Sequence, residues 1–318
     1  MTSFKDYLGQ VKPVVDARIW EVASRKLKDD YLVRLLVEGK RLRAGLLSLV
    51  FESTSGRKLN GTLDLACAVE LAHSASLIID DMLDEDELRH GMPTVHVTEG
   101  QKRAMLDTVG ILSLPYDLVV PYGEKFVQSL AETQRGMVSG VLKEVLHDPA
   151  LPATKIYDII IKQKTGKPFG LAASWGYLAG LNGRKAESNG HLPKWKAYGT
   201  HLGKAMQIAD DIADLKDVMT TRKKSGLGSE MLLLRCVTAE RLAKELFTDI
   251  RRLDLHFAKV KELWTQEGTQ SSLKLKLEGE ISAAEDIVQD MPLESESHRE
   301  MLVGAPREVA RIMLAEAK

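Results

Sequence analysis

The chain has 318 residues, 44 Lys+Arg against 45 Asp+Glu, a formal net charge of -1, 44% apolar residues and 5% aromatics. That length buries a full hydrophobic core without disulfide or metal staples, and the near-zero charge argues against bulk attraction to nucleic acid or to an anionic membrane surface. Cys67 and Cys236 make no disulfide framework and no ligand pair, and both read as buried small hydrophobes of a reducing compartment. The polar opening MTSFKDYLGQVK carries no signal-peptide pattern. No apolar stretch reads as reaching the ~18 residues of a bilayer span. The expectation is a cytoplasmic protein with one domain over residues 1–318.

The periodicity is helical throughout, so the fold class expected is all-α. In chain order, helical patterns cover Tyr31–Phe51, Leu63–Leu83, Lys102–Leu118, Phe126–Leu146, Ile156–Leu181, Trp195–Val218 and Leu232–Leu263. The β-branched run YDIIIK at 157–162 is embedded in one of these patterns. Gly91-Met92-Pro93 reads as a helix end with glycine before proline. Asn182-Gly183 and Gly190–Pro193 bracket a polar loop, and Thr220–Ser229 reads as a basic, mobile loop. Gly268–Ser272 and Pro292–Pro306 separate the last helices, with Pro306 at the first position of a closing helix, Arg307–Ala317. Three glycine pairs at GxxxG spacing, Gly136…Gly140, Gly176…Gly180 and Gly199…Gly203, predict close helix packing.

The strongest chemical signal is a duplicated acidic cluster. Leu77–Asp84 reads LIIDDMLD and Ile208–Leu215 reads IADDIADL, each a DDxxD at the C-terminal end of an apolar run. Residues four apart share a helix face, which pairs Asp80 with Asp84 and Asp210 with Asp214. Like charges so placed weaken a helix, and a helix C-terminus disfavours anions. A bound cation offsets both penalties, and an oxygen-only ligand set suits Mg2+, whose shell is completed by water and phosphate. The competing reading is a solvated acidic helix end, and Asp80–Glu87, with six acidic residues in eight, fits it. The duplication decides against it, because Asp210 follows Met206-Gln207-Ile208-Ala209, which is no solvent-facing run. Basic groups are also at hand in Gly39–Arg43 (GKRLR), Arg89-His90-Gly91, Lys164-Thr165-Gly166 and Arg222–Lys224. Acids for metal and bases for phosphate together describe a diphosphate site.

At these residues the chain resembles the trans-isoprenyl diphosphate synthases. The segments GKRLR, ELAHSASLIIDDMLDEDELRHGMPTVH, KTGKPFGLAA and GKAMQIADDIADL come in the family's order across roughly residues 39–226. The resemblance implies a helical bundle around a deep central cavity, of the isoprenoid synthase type, forming a homodimer. It implies a reaction in which an allylic diphosphate ionises with help from Mg2+ and is attacked by isopentenyl diphosphate, so that the chain grows by one prenyl unit. By position, Asp80, Asp84 and Asp210 would be metal ligands, with Asp81 and Asp214 supporting them. Lys40, Arg43 and His73 match residues that hold isopentenyl diphosphate. Arg89, Lys164, Thr165, Gln207 and Lys224 match those around the allylic diphosphate, with Gln207 and Thr165 also placed to steer the cation or the departing proton.

Several departures stand out. His90 replaces the second arginine of the family pattern, and Ile79 stands where many members have histidine. The Gly-Asp pair common near Thr108-Val109 is missing, and the nearest acidic candidate beyond the second cluster's lysine is at Ser229-Glu230. The segment Ala75–Met82 echoes the carotenoid-type geranylgeranyl diphosphate synthases but lacks their two extra residues in the first cluster. Ala75 and Ser76, one turn before Asp80, are small, which argues against a C15-limited enzyme and for a C20 product. A longer polyprenyl product, with a stopper on another helix near Met105 or Val109, is the first alternative. A terpene cyclase and a weakly active regulatory subunit are the others. Retention of GKRLR and His73 favours chain elongation over cyclisation, and two intact clusters argue against a regulatory subunit.

Overall fold

The computed structural model describes residues 3–58, 61–89, 91–146, 152–181, 190–221, 229–238, 260–266 and 268–315. Thirteen helices and one minimal hairpin are found among them: α1 Phe4–Leu27, α2 Asp30–Leu36, α3 Leu42–Ser55, α4 Leu63–Leu83, β1 Leu88–Arg89, β2 Met92–Pro93, α5 Val95–Thr98, α6 Gln101–Val119, α7 Glu124–Leu146, α8 Ala153–Ile161, α9 Lys167–Gly180, α10 His191–Thr221, α11 Ser229–Val237, α12 Thr269–Gln289 and α13 Glu296–Leu314. The all-α expectation holds, and buried side chains from Phe4 to Met313 join in one hydrophobic cluster.

Helix α3 is the central member, with every residue from Leu42 to Ser53 buried. It packs on α9, α9 on α10, and α10 on α12 and α13, while α4 packs on α6. The glycine pairs make these contacts close. A Cβ on Gly176 would sit 2.4 Å from the Leu47 carbonyl oxygen of α3, and one on Gly199 would sit 2.3 Å from that of Phe169 in α9. Dispersion between backbones at this range replaces side-chain interdigitation.

Several expectations are corrected. The pattern Tyr31–Phe51 is two helices, broken at 37–41, where Gly39 (φ +128°) and Arg41 (φ +58°) leave helical geometry. Arg41 is buried in the break, where it donates to Asp16 Oδ1 at 2.6 Å and to the Leu36 carbonyl at 2.7 Å. Glu70 of α4 then accepts from the Ala44 N–H at 2.8 Å and caps α3 from outside. Gly91-Met92-Pro93 ends no helix: α4 stops at Leu83, and Gly91 (φ +78°) turns the hairpin that pairs Leu88 with Pro93 and Arg89 with Met92.

Pro306 lies inside α13 rather than at its start, and the helix is capped at Ser295. Proline cannot donate to the carbonyl four residues back. Tyr198 supplies the missing bond to that carbonyl, Leu302 O, at 2.6 Å. Gln101–Tyr122 is, by length and composition, apolar enough to cross a bilayer, with 39% of its apolar window buried. Its apolar character serves two faces. One packs on α4, and the other is an outward stripe of Met105, Leu106 and Val109.

The separation expected over Gly268–Ser272 is present but narrower: the helical residues 260–265 end before Gly268, which caps α12, and 270–272 belong to its first turns. Cys67 is fully buried and Cys236 only partly so. The residues 182–189 and 222–228 of the two expected loops, and 239–259 of the Leu232–Leu263 pattern, lie outside the described residues.

Candidate active site

A cavity of about 660 Å³ opens between α3, α4, α6, α7, α10 and the α8–α9 junction. Both acidic clusters line it. Asp80 and Asp84 come from the C-terminal turn of α4, and Asp210 and Asp214 from α10. Lys40, Arg43, His73, Ala75, Ser76, Arg89, Lys164, Thr165 and Gln207 line it too. Of the remaining sequence-predicted residues, Asp81 is absent from the wall, while His90 and Lys224 lie outside the described residues.

The second cluster sits two turns inside α10 rather than at its end. The first is positioned by the end of α4. The Asp84 N–H donates to the Asp80 carbonyl at 2.8 Å, and Glu85, at φ +56°, turns the chain toward the hairpin. The hairpin delivers Arg89, whose Nε donates to Asp81 Oδ1 at 2.7 Å, with Asp86 3.6 Å away. Asp81 is therefore bound to Arg89 at the back of the cluster. Burial pushes its carboxyl above the usual range against the pull of Arg89. Burial also pushes Asp84 up to about 7, with Lys164 opposing and Asp80 and Glu144 adding to it.

Lys164 stands on a single π-turn, Lys162–Gly166, between α8 and α9. Such turns are rare and concentrate at functional positions. Gly140 of α7 allows the turn's close approach, since a Cβ there would lie 2.9 Å from the Lys164 nitrogen. Lys164 Nζ bridges Glu144 at 3.0 Å and Asp80 at 3.4 Å. Burial disfavours its charge, but Asp80, Glu144 and Asp84 outweigh that and raise its pKa.

On the opposite side, the break before α3 presents the cationic wall. Arg43 is buried, with its guanidinium 4.7 Å from the centre of the Phe169 ring and its Nε lacking any hydrogen-bond partner. Burial pulls its pKa down to about 10, against Glu70. An unpartnered, buried donor on a cavity wall suits an anion. Burial, followed by Arg43, Arg89, Arg41 and Lys40, holds His73 well below its usual value, so it faces the cavity as a neutral imidazole.

No three acidic, histidine or cysteine side chains among the described residues converge into a ready-made cage. The carboxylates are spread along two walls instead. This suits a hard cation that takes only part of its shell from protein and the rest from water and diphosphate oxygens. The donor set, all oxygen, fits that class of ion.

The far end of the cavity is apolar, walled by Ala72 and Ala75 of α4, Thr108 and Leu112 of α6, and Met137, Val138 and Val141 of α7. No aromatic side chain is found among its lining residues. Met105 and Val109, expected near the stopper, are 51% and 68% exposed on the outer face of α6; Thr108 and Leu112 take the inner face. Sequence reading missed Glu144, the partner of Lys164, which has no motif of its own. It also missed the structural use of Asp211, which accepts from Tyr157 Oη at 2.6 Å and Ser229 Oγ at 2.7 Å.

A helical bundle whose two DDxxD clusters and basic groups converge on one apolar-floored cavity is suited to hold a diphosphate through metal. Comparison with known proteins agrees. The polyprenyl synthetase family model matches residues 26–228. The geranylfarnesyl diphosphate synthase of Methanosarcina mazei is 34% identical over 226 residues, 70% of this chain and 74% of that protein. The geranylgeranyl diphosphate synthase of Pseudescherichia vulneris is 32% identical over 67% of this chain and 69% of its own. The crystal structure of a Caulobacter crescentus polyprenyl synthase, complexed with calcium and isoprenyl diphosphate, superposes with a TM-score of 0.78 at 22% identity, covering 100% and 99% of the two chains. The chain belongs to the polyprenyl synthetase family of trans-prenyltransferases, which act on isoprenyl diphosphates with a divalent metal.

Proposed function

We propose that the protein joins isopentenyl diphosphate head-to-tail to an allylic diphosphate, with Mg2+, and that its main product is geranylgeranyl diphosphate (C20). The observation that carries this is the convergence of Asp80, Asp84, Asp210 and Asp214 on a cavity that Lys40, Arg43 and His73 also line. The four aspartates hold the metal, with Asp81 supporting the first cluster from behind. When bound, Mg2+ supplies positive charge to the departing diphosphate. Lys164 and Arg89 add fixed charge on the same side, and Thr165 and Gln207 face the reacting carbons. Lys40, Arg43 and neutral His73 hold the second diphosphate by hydrogen bonds that need no proton transfer. The apolar floor keeps water from the allylic cation.

The cationic wall favours elongation over cyclisation, which needs no second diphosphate. The absence of aromatic side chains from the lining supports C20 and keeps a longer polyprenyl product as the second reading. A homodimer is supported by the exposed apolar side chains Met105, Leu106 and Val109 on α6 and Val145 and Leu146 on α7, which suit a second copy. The test is to incubate the protein with Mg2+, farnesyl diphosphate and isopentenyl diphosphate and identify products by mass. A C20 diphosphate supports the proposal, a longer diphosphate supports the second reading, and a hydrocarbon overturns both.

A further inference from the structure

The middle aspartate of the second cluster does something other than its neighbours. Asp211 is 1% exposed, and both carboxylate oxygens are occupied. Oδ1 accepts from Gln207 Nε2 at 3.0 Å and from Ser229 Oγ at 2.7 Å, and Oδ2 accepts from Tyr157 Oη at 2.6 Å. Gln207 Oε1 in turn accepts from Thr165 Oγ1 at 2.6 Å. Four segments meet here: α8 through Tyr157, the π-turn through Thr165, α10, and the first residue of α11 through Ser229.

The direction of each bond follows from chemistry. A carboxyl that is ionised, or protonated at Oδ2, meets its two Oδ1 partners as an acceptor. The Gln207 amide must then present its NH2 to Asp211 and its oxygen to Thr165. Thr165 has one hydroxyl proton and spends it on Gln207. What Thr165 shows the cavity is therefore lone pairs, never an O–H. Without Asp211 the amide is free to rotate by half a turn and donate to Thr165, which could then turn its proton toward the reacting carbons.

We propose that Asp211 is a positioning residue of the transfer site: through Tyr157 and Ser229 it is clamped to α8 and α11, and through Gln207 it fixes Thr165 as a hydrogen-bond acceptor facing the substrate. It binds no metal itself. The proposal rests on the reading that Thr165 and Gln207 face the reacting carbons, and the test separates the two.

Turnover, the KM for isopentenyl diphosphate, and Tm are measured for Asp211→Asn, Asp211→Leu, Gln207→Leu, the double variant Asp211→Leu/Gln207→Leu, and Asp210→Asn. Asparagine at 211 still accepts from Gln207 and Ser229 through its oxygen and donates to Tyr157. Asp211→Asn therefore retains turnover to within about tenfold, the worth of one altered neutral hydrogen bond. Asp211→Leu loses about 100-fold in turnover, as misoriented reacting groups do, with KM for isopentenyl diphosphate unchanged. Gln207→Leu loses a similar factor, and the double variant loses no more than either single, because both act through one orientation. Asp210→Asn loses far more than Asp211→Asn.

If Asp211→Asn is as inactive as Asp210→Asn, Asp211 acts through its charge and the proposal is overturned. If Asp211→Leu lowers Tm but leaves turnover intact, its role is structural only and the proposal is likewise overturned. Should Asp211→Leu fail to fold, Tyr157→Phe with Ser229→Ala removes two of the three donors while keeping the carboxylate. A loss of turnover without a change in that KM then supports the proposal, and parent-like turnover overturns it. Full activity in both Asp210→Asn and Gln207→Leu would instead remove the reading of the site on which the proposal stands.

Discussion

Replacing Ala75 or Ala72 by phenylalanine turns the apolar wall of α4 into a ruler for the product. Both alanines line the cavity and are 0% and 7% exposed. At about 1.5 Å of rise per residue, Ala75 lies about 7.5 Å before Asp80 along the helix axis and Ala72 about 12 Å. An extended prenyl unit, four C–C bonds of about 1.5 Å in zigzag, measures roughly 5 Å. A ring at 75 therefore meets the growing chain after one to two units and a ring at 72 after two to three. Ala75→Phe should stop the product near C10 and Ala72→Phe near C15, both shorter than the parent product. Added volume against α6 should cost about 1–3 kcal/mol of stability, so Tm is recorded alongside. Products made with excess isopentenyl diphosphate are dephosphorylated and sized by chromatography and mass. Folded, active variants with parent-length products, or a shorter product from Ala72→Phe than from Ala75→Phe, would show that the chain does not run along α4.

The remaining predictions concern the charges and the packing that hold the site. Asp80→Ala and Asp210→Ala should each lower turnover by several orders of magnitude with circular dichroism unchanged; near-parent turnover in either removes that cluster from metal binding. Lys164→Met strands Glu144 and Asp80 and should cost about 3 kcal/mol in urea unfolding. Adding Glu144→Gln should recover part of the loss, and no recovery would disprove the pairing. Gly199→Ala forces α9 and α10 apart and should cost about 1–3 kcal/mol. Gly279→Ala, where a Cβ meets nothing within 4 Å, should be neutral or mildly stabilising. Equal effects at the two glycines would contradict the close-packing argument. Burial alone would raise the pKa of Glu280, but His201 and Lys204 bring it below the ordinary 4.5. A lowered carboxylate stabilises the fold above its unfolded value and loses that contribution as pH falls through the folded one. Glu280→Gln should therefore flatten the fall in stability below about pH 4.5, and an unchanged acid limb would contradict the assignment.

Helix existence was legible wherever apolar residues recur over many turns: α4, α6, α7 and α10 lie within a few residues of their expected spans. The failures are local and physical. Tyr31–Phe51 keeps its apolar period across the break because both α2 and α3 bury a face, and only Arg41, paired across the fold with Asp16, shows that the chain leaves the helix between them. Pro306 reads as a helix start because the donor that replaces its missing N–H, Tyr198, is over a hundred residues away in sequence. Gly91-Pro93 reads as a stop because a four-residue antiparallel pairing is too short to alternate.

The chemistry divides the same way. Contiguous motifs determined the acidic clusters, the basic GKRLR and KTG segments and hence the reaction class, because ligands four residues apart on a helix share a face in any fold. Tertiary structure alone decided which protein groups engage each of those carboxylates. Asp81 and Asp211 carry the same letter as their neighbours, yet Arg89 holds one, and Tyr157, Ser229 and Gln207 saturate the other. Tyr157 and Ser229 are brought to Asp211 by how helices pack, Tyr157 from 54 residues away, whereas Gln207 lies one turn before it on α10. Lys164 likewise meets Glu144 and Asp80 only because Gly140 lets α7 approach the π-turn. Pairing across such separations depends on packing distances of a few tenths of an ångström, and the linear pattern of residues does not carry them.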